Sequence, residues 1–465
     1  MKYDLFEMIP YGKQSISEDD IAAVVRSLRS DFLTCGPEVE AFEKEFAAFV
    51  GAKHAVAVCN ATAALHLAMQ VLGIGKGDRV VTSPNTFVAS ANAAAYVGAT
   101  PDFSDIDPKS YNLDPVVLEQ NWRCDTKAVV AVDYAGQPCN IPEISRIARS
   151  RGAYLIEDAC HGTGGGFQFD GRKWKLGGHP WADITTFSFH PVKTLTTGEG
   201  GILLIENDEW AAKARLLRTH GITRNPSEFT GLSDSPYSSC SAISPSQSAI
   251  NAPFSVISPP PSLAERGPWY YEMQELGYNY RITDFQCALG RSQLKRLPEF
   301  IARRQQIASR YNEALASLDW LTTPKFTSVP PLVTDHSSSA TSYASNTPAL
   351  DSDISHLPSA IQYQLSDLSL HLYTVQIDFP RLGKTRTEVM QELKDNGVGT
   401  QVLYIPVYLQ PWYRRTYGYA PGKCPNAEHF YARALSLPLF PAMNDADVEK
   451  VIDAVAKLSV AKSLT

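Results

Sequence analysis

The 465-residue sequence lacks several features that would place it in a specialised class of proteins. Its eight cysteines are widely spaced and include no C-x-x-C pair, which argues against a zinc site or a disulfide framework and predicts reduced thiols. No stretch has the length and hydrophobicity of a transmembrane helix, and the first residues lack the basic flank and apolar run of a signal peptide. We therefore expect no metal site, no membrane association and a cytoplasmic location.

The sequence also lacks a concentrated basic region. The formal net charge is −7 at pH 7, and the lysines and arginines are scattered along the chain instead of forming one face or tail. This distribution argues against nucleic acid as a partner. Hydrophobic residues make up 44% of the chain and charged residues 20%, which is typical of a globular protein with one large domain and a smaller one.

What the first part of the chain does contain is a regular alternation of short apolar runs and helical patterns. Helical patterns cover residues 16–29, 37–50, 61–72, 86–96 and 141–151. Strand patterns cover residues 54–59, 79–82, 100–104, 128–132 and 154–157. Repeated β–α–β order predicts an α/β fold with a mostly parallel sheet, and ligands are expected at the carboxyl ends of its strands.

The rest of the chain predicts a smaller α+β domain and two inserts. Helices are predicted over 284–296, 297–315, 385–396 and 445–458, and strands over 371–377 and 400–404. Two tracts rich in serine and proline, about 226–263 and about 326–360, have neither helical nor strand periodicity and are predicted to be disordered. We therefore divide the chain into a large α/β domain, residues 1–285, and interface helices with a small C-terminal domain, residues 286–465.

Lys193 lies between two predicted core strands, 184–187 and 202–205. Pro191 precedes it, and a group of three glycines follows it, so the chain turns tightly on both sides. An amine in a partly desolvated pocket loses its proton easily and becomes nucleophilic, so a Schiff base with a carbonyl is one interpretation. A lysine that only forms an ion pair is the other, and spacing alone does not decide between them.

Three further positions carry possible ligand-binding groups. Asn60 is a good N-cap for the helix that begins at Ala61, where free N–H groups could hold a phosphate, although an ordinary βα turn has the same pattern. Phe87 could fill the core or stack on a planar ligand. Asp158 follows an apolar strand, where burial of its carboxylate favours a cationic partner, although capping of a neighbouring helix is an alternative.

These positions fall in motifs that extend over nearly the whole chain apart from the two inserts. Among the motifs are CNATAALHLA, TSPNTFVASANAA, YLIEDACHG, TTFSFHPVKTLTTGEGG and GYNYRITDFQCALG. They resemble those of the DegT/DnrJ/EryC1/StrS family of sugar-nucleotide aminotransferases. The resemblance implies the fold of the type I transferases that depend on pyridoxal 5′-phosphate (PLP), with PLP as cofactor and pyridoxamine phosphate as its aminated form.

The resemblance also implies roles for the residues around the cofactor. Lys193 would bind PLP through a Schiff base and later move the proton, and Asp158 would face the pyridine nitrogen and keep it protonated. Phe87 would stack on the ring. His161 lies in a matching motif near the cofactor.

The remaining implied roles concern the phosphate and the substrate. Ala61, Thr62 and Ser188 would form a phosphate cup, to which Asn279 of the partner subunit would contribute, so the implied active unit is a homodimer. The matching motif residues near cofactor or substrate are Tyr11, His220, Tyr280, Arg281, Gln286 and Tyr404.

Within the family, three stretches are most similar to the 4-aminotransferase of pseudaminic acid biosynthesis: IPYGKQSISEDDI, ATAAL and SPNTFVASAN. Such an enzyme transfers the amino group of L-glutamate to C4 of a UDP-linked 4-keto-6-deoxy-N-acetylhexosamine and releases 2-oxoglutarate. Leu403 and Tyr408 stand where relatives often have histidine, and Cys35 stands where glutamine is common. We expect these differences to affect the choice of sugar more than the cofactor chemistry.

Other functions fit parts of the same pattern. The enzyme could act on a different nucleotide-linked keto sugar. A PLP-dependent sugar dehydratase is a further possibility, but such relatives replace the Schiff-base lysine by histidine, so Lys193 argues against it. A non-catalytic regulatory protein that kept the fold is the third, because a fold alone does not establish an activity and the two inserts are unexplained.

Overall fold

The structure is a computed structural model that describes residues 8–229, 268–325 and 364–458. The predicted insert at about 326–360 and most of the one at about 226–263 lie outside these residues. The chain divides into two compact units, one formed by residues 1–214 and 280–465 and the other by residues 215–279. The domain boundary at residue 285 stays a prediction.

Helices and strands alternate as the sequence predicts, with additional elements in the second half. The helices are α1 (Glu18–Leu28), α2 (Pro37–Val50), α3 (Ala61–Val71), α4 (Ala89–Tyr96), α5 (Pro115–Gln120), α6 (Ile141–Arg149), α7 (Asp208–Arg218), α8 (Asp284–Leu315), α9 (Phe379–Leu382), α10 (Arg386–Asp395), α11 (Pro411–Tyr417), α12 (Pro425–Arg433) and α13 (Asp445–Ala456). The strands are β1 (His54–Val58), β2 (Arg79–Thr82), β3 (Thr100–Phe103), β4 (Thr126–Val132), β5 (Tyr154–Asp158), β6 (Gly166–Phe169), β7 (Arg172–Lys175), β8 (Ile184–Ser188), β9 (Gly201–Ile205), β10 (Ile222–Thr223), β11 (Glu272–Met273), β12 (Leu321–Thr322), β13 (Gln364–Ser366), β14 (Tyr373–Ile377) and β15 (Ala434–Leu437).

A seven-stranded sheet is the centre of the first unit, with strand order β1-β9-β8-β5-β4-β2-β3. Neighbouring strands in this sheet are parallel to each other, except that β9 lies between β1 and β8 and is antiparallel to both. Strands β8 and β9 are buried along their whole length, which explains the continuous apolar sequence of β9. The buried threonines of β8 satisfy their hydroxyls by donating to Glu157. This mixed, mostly parallel sheet confirms the predicted α/β class.

Three apolar clusters are described in the first unit, and the two larger ones form its cores. One packs around the seven-stranded sheet, and the other packs around the antiparallel sheet β12-β14-β15. Helix α8 takes part in both, because Cys287 and Leu297 belong to the first core and Ile307 and Leu315 to the second. The second core corresponds to the region where the sequence predicts a small α+β domain.

The continuity of α8 corrects one prediction. The sequence predicts two helices that are divided after residue 296, whereas the structure has one helix of 32 residues with Pro298 inside it. A proline removes one backbone donor and usually kinks or ends a helix. Here Leu297 and Phe300 are buried on either side of Pro298, so packing maintains the helix despite the lost hydrogen bond.

Two other boundaries were also wrong. The helix predicted from residue 86 begins at Ala89, so Phe87 lies in the preceding loop and not in the first helical turn. The strand predicted over 400–404 is reduced in the described structure to one bridge between Gln401 and Ser436. In both places, the pattern of apolar and polar residues did not determine which residues form the backbone hydrogen bonds of the helix or strand.

Two further sheets in the described residues are also antiparallel. Strands β13, β6 and β7 form one, and β10 with β11 forms the other within the second unit. Among the residues that the structure describes, no helix is long and apolar enough to cross a membrane, and no cluster of side chains could hold a metal ion. The cysteines in these ranges are free thiols.

The backbone at Gly136 predicts an unusually large effect of a small substitution. Gly136 and Gly152 both have positive φ, but a Cβ at Gly136 would lie 1.9 Å from the carbonyl oxygen of Ser369, whereas nothing lies within 4 Å of a Cβ at Gly152. We expect Gly152→Ala to cost about 1 kcal/mol of unfolding free energy. Gly136→Ala should cost at least about 3 kcal/mol because backbone must move. Urea unfolding measures both, and equal effects would contradict the close packing of this loop.

Candidate active site

The carboxyl ends of the parallel strands meet at one edge of the central sheet. Asp158 is the last residue of β5 and lies in register with Thr186 of β8. Ser188, the last residue of β8, pairs with Gly201 of β9, and Gly201 in turn pairs with Val58 at the end of β1. The chain segments that follow β1, β5 and β8 therefore start from the same edge of the sheet.

The amino end of α3 lies directly against the start of β9. Asn60 caps the helix, because its Oδ1 accepts the N–H of Ala63 at 2.9 Å. The N–H groups of Ala61 and Thr62 donate to no acceptor among the described residues. A Cβ at Gly201 would lie 2.6 Å from the nitrogen of Ala61, so glycine is needed for this close approach. Free N–H groups at a helix start are a favourable setting for an anion.

The Asp158 carboxylate is buried and is held by two donors. The hydroxyl of Ser90, on α4, donates to Oδ2 at 2.6 Å, and the N–H of Cys160 donates to Oδ1 at 3.3 Å. Ser90 is also buried, and its Oγ lies 2.8 Å from the hydroxyl oxygen of Thr86. Each carboxylate oxygen can accept another hydrogen bond, so Asp158 has the capacity to bind a protonated ring nitrogen.

Lys193 lies in the loop between β8 and β9, where its N–H donates to the carbonyl of His190 at 2.9 Å. Desolvation lowers the pKa of the Lys193 ammonium below its ordinary value, although the nearby Cys160 and Asp158 raise it in part. A lysine with a lowered pKa is more often neutral and therefore more nucleophilic. No carboxylate in the described part of the chain forms an ion pair with Lys193, which argues against the salt-bridge alternative.

His161 and Tyr404 form a hydrogen-bonded pair. Nδ1 of His161 accepts the N–H of Ala135 at 3.2 Å, so in the neutral ring the proton is on Nε2, which lies 3.1 Å from the Tyr404 hydroxyl oxygen. Burial lowers the pKa of His161 well below its ordinary value, and it raises the pKa of Tyr404 well above its own. Both groups are thus neutral near pH 7, and the Tyr404 hydroxyl keeps its proton for another acceptor.

Phe87 and Tyr11 lie near this pair. The ring of Phe87 is 57% exposed, and its centroid is 6.2 Å from that of Tyr404. The carbonyl of Tyr11 accepts the N–H of Leu439 at 3.2 Å, and the adjacent Gly12 packs against Val192, next to Lys193. The predicted stacking ring is therefore exposed, and the Tyr11–Gly12 segment lies beside the loop that contains Lys193.

Tyr280, Arg281 and Gln286 lie where α8 begins. The hydroxyl oxygen of Tyr280 is 3.0 Å from Nδ1 of His66, which lies on α3. Arg281 is half-buried in the loop that precedes the helix. The side chain of Gln286 caps α8 and donates through Nε2 to the carbonyl of Glu199 at 2.9 Å. Its amide is therefore committed to backbone groups.

His220 and Asn279 belong to the second unit, and both are exposed. Within that unit, the N–H of His220 donates to the carbonyl of Tyr278 at 2.8 Å, and Asn279 forms a bridge with Thr219. His220 has a φ of 57°, in the left-handed region. Their roles at the cofactor and substrate stay predictions.

Three buried residues of this region were not predicted from the sequence: Ser90, His371 and Arg304. The ring centroid of His371 is 4.6 Å from that of His161. Nη1 of Arg304 donates to the carbonyls of Leu439 at 2.7 Å and of His371 at 3.2 Å. A hydroxyl within the alanine-rich α4 was a usable signal for Ser90, but an arginine on a helix is normally exposed, so nothing local indicated Arg304.

Comparison with known families decides the assignment. The profile of the DegT/DnrJ/EryC1/StrS aminotransferase family matches residues 14–348 and 329–456. The chain belongs to this family. It is 39% identical over 448 residues to the spore coat polysaccharide biosynthesis protein SpsC of Bacillus subtilis, with 96% of both chains covered.

Solved structures of aminotransferases have the same architecture. The aminotransferase TlmJ from Streptoalloteichus hindustanus is 30% identical with a TM-score of 0.73, covering 97% of this chain and 98% of TlmJ. Helicobacter pylori PseC, an aminotransferase of pseudoaminic acid biosynthesis, is 24% identical with a TM-score of 0.74, covering 97% and 99%. These similarities confirm the type I fold of PLP-dependent transferases, and at 24% identity the likeness to PseC concerns the fold alone.

The buried histidines predict how stability depends on pH. In the unfolded chain, His161 and His371 have their ordinary pKa of about 6.5, whereas burial lowers the pKa of both well below this value in the folded protein. The free energy of unfolding should therefore fall as the pH decreases below this value. His371→Gln should make the fall shallower, while the exposed His429→Gln should leave it unchanged. Urea unfolding across this pH range measures the slopes, and equal slopes for His371→Gln and the unchanged protein would contradict the account.

Proposed function

We propose that the protein is a PLP-dependent aminotransferase that uses L-glutamate to aminate a nucleotide-linked keto sugar. The observation that carries the proposal is the convergence of Lys193, Asp158 and the free helix start at Ala61 on one edge of the sheet. Membership of an aminotransferase family and the similarity to a polysaccharide biosynthesis protein support it.

The residues at this edge fit PLP. Its phosphate would be held by the N–H groups of Ala61 and Thr62 and the hydroxyl of Ser188, in a cradle that a side chain at Gly201 would fill. Asp158 would accept a hydrogen bond from the protonated ring nitrogen, because each of its oxygens has only one donor among the described residues. When bound, the cofactor supplies an electron sink for a carbanion at the substrate carbon.

The protein side chains would bind, orient and move protons. Lys193 would hold the cofactor and, once free, its Nζ would take the proton from the α-carbon of glutamate and return one to C4 of the sugar. Ser90 would keep the Asp158 carboxylate in place. His161 would orient Tyr404, whose hydroxyl proton remains available to an oxygen of the cofactor or substrate.

For the substrate, we propose a UDP-linked 4-keto-6-deoxy-N-acetylhexosamine, as in pseudaminic acid biosynthesis. The motifs described above support this choice, and PseC has the same fold. Another nucleotide-linked keto sugar is the alternative. The ring of Tyr408 is fully buried, and its hydroxyl forms a hydrogen bond with Glu428. The tyrosine that replaces histidine at this position therefore belongs to the core and favours neither candidate sugar.

We further propose a homodimer in which Asn279 of the partner subunit reaches the phosphate site. Asn279 is exposed within the second unit, whereas Tyr278 beside it is half-buried, so the Asn279 side chain is available to a partner. The cytoplasmic location and the lack of nucleic-acid and membrane partners stay predictions from composition.

Lys193→Ala tests the catalytic assignment. The purified protein with PLP should be yellow, and L-glutamate should bleach the band and release 2-oxoglutarate. Lys193→Ala should lower the rate of this half-reaction by about a thousandfold or more. Lys109→Ala, at an exposed position, is the matched control and should react normally.

The second half-reaction separates the candidate substrates. After treatment with glutamate and removal of the excess, the UDP-linked 4-keto sugar should restore the colour, and mass spectrometry should detect the 4-amino product. Restoration only by a different nucleotide sugar would favour the alternative substrate. A protein that binds no PLP and leaves glutamate unchanged would contradict the proposal and favour the non-catalytic function.

A further inference from the structure

A cavity of about 520 Å³ lies between α1, α2 and the first half of α8, and we call it the second cavity because it is separate from the candidate active site. It shares no lining residue with the candidate active site. Among the described residues that line it, only Ala23 and Ala288 are apolar. Such a polar lining does not suit an apolar ligand or the apolar face of a helix.

The lining of this cavity is rich in basic side chains. The basic residues are Arg26, Arg291, Lys295 and Arg296, and the acidic ones are Asp19 and Glu38, which gives the lining a formal charge of +2. Asp20 and Glu45, which pair with two of these arginines without lining the cavity, bring the local sum to zero. Only a lining cation that no carboxylate pairs can therefore favour an anionic ligand.

Two of the four cations are already paired. Arg291 forms ion pairs with Glu38 and Glu45, and Arg296 pairs with the buried Asp20. Arg26 and Lys295 form no ion pair with any carboxylate in the part of the chain that the structure describes. The protein thus places two cations without an ion-pair partner at one cavity, and a bound anion would reduce their repulsion.

A buried hydroxyl lies beside these charges. Ser27, on α1, lines the cavity and is only 3% exposed, and its Oγ has no hydrogen-bond partner among the described residues. A buried hydroxyl without a partner is unfavourable, so a ligand oxygen that reached it would gain a hydrogen bond. The hydroxyl of Ser30, by contrast, already donates to the carbonyl of Ser27 at 2.8 Å.

We propose that this cavity binds a small phosphorylated metabolite through Arg26, Lys295 and Ser27. A phosphate group carries more than one negative charge and can therefore balance two unpaired cations. Its oxygens also accept hydrogen bonds from the planar guanidinium group of arginine. A cavity of 520 Å³ is larger than a phosphate ion and leaves room for an attached polar group such as a sugar. The inference does not depend on the proposed aminotransferase activity.

Calorimetric titration with inorganic pyrophosphate tests the site on the full-length protein with its cofactor. The unchanged protein should bind pyrophosphate saturably, and added salt should weaken the binding. Arg26→Gln/Lys295→Gln should raise Kd by about tenfold or more. The control Lys109→Gln/Lys457→Gln removes two exposed lysine charges elsewhere and should leave Kd unchanged. Thermal unfolding without pyrophosphate should show that both variants are folded.

Three results would overturn the inference. The unchanged protein could fail to bind pyrophosphate. Binding could be equally tight in Arg26→Gln/Lys295→Gln, which would place the anion at another site such as the start of α3. Sedimentation could show that this variant alters the oligomeric state, which would make the cavity an interface between copies of the chain.

Discussion

The buried carboxylate of Asp158 is the constraint around which the candidate active site is arranged. Strand β5 carries this charge to the edge of an apolar sheet, where an unsatisfied carboxylate would be strongly unfavourable. Ser90 and the N–H of Cys160 each donate to one oxygen of this carboxylate, and each oxygen can accept a further hydrogen bond. A protonated ring nitrogen would complete the set, so the requirement to solvate one charge links α4, β5 and the proposed cofactor.

The same edge of the sheet explains why distant parts of the sequence meet. Two register pairings, of Val58 and of Ser188 with Gly201, connect the ends of β1 and β8 through the start of β9, and the glycine at position 201 lets α3 approach the sheet closely. Lys193 lies in the loop between β8 and β9, which is closed by backbone hydrogen bonds from Phe189 to Gly200 and from Thr197 to Phe189. Desolvation there lowers its pKa, which is the property that a nucleophilic amine requires.

The sequence was sufficient for the features that depend on local pattern. Alternating strands and helices predicted the α/β class, and the surroundings of Lys193 and Asp158 pointed to a desolvated amine and a buried acid. The failures involve contacts between distant residues. Tertiary packing maintains α8 through Pro298, and Arg304 is buried because it donates to the carbonyls of His371 and Leu439, far away in sequence. No short-range pattern contains this information.

Helix α8 joins several parts of the first unit. It begins beside Tyr280 and Arg281, lines the second cavity, and then passes from one apolar core to the other. Near its start, the Asp284 carboxylate accepts the N–H groups of Gly36 and Glu38, which attaches it to α2. A ligand in the second cavity would therefore contact the same rigid helix that borders the candidate active site.

Borohydride reduction of the PLP-loaded protein, followed by peptide mass spectrometry, tests the central claim most directly. Reduction makes the bond between the cofactor and its lysine permanent, so the modified residue can be identified without any substrate. The account predicts a single phosphopyridoxyl label on Lys193. A label on another lysine, or the absence of any label after PLP is supplied, would contradict it.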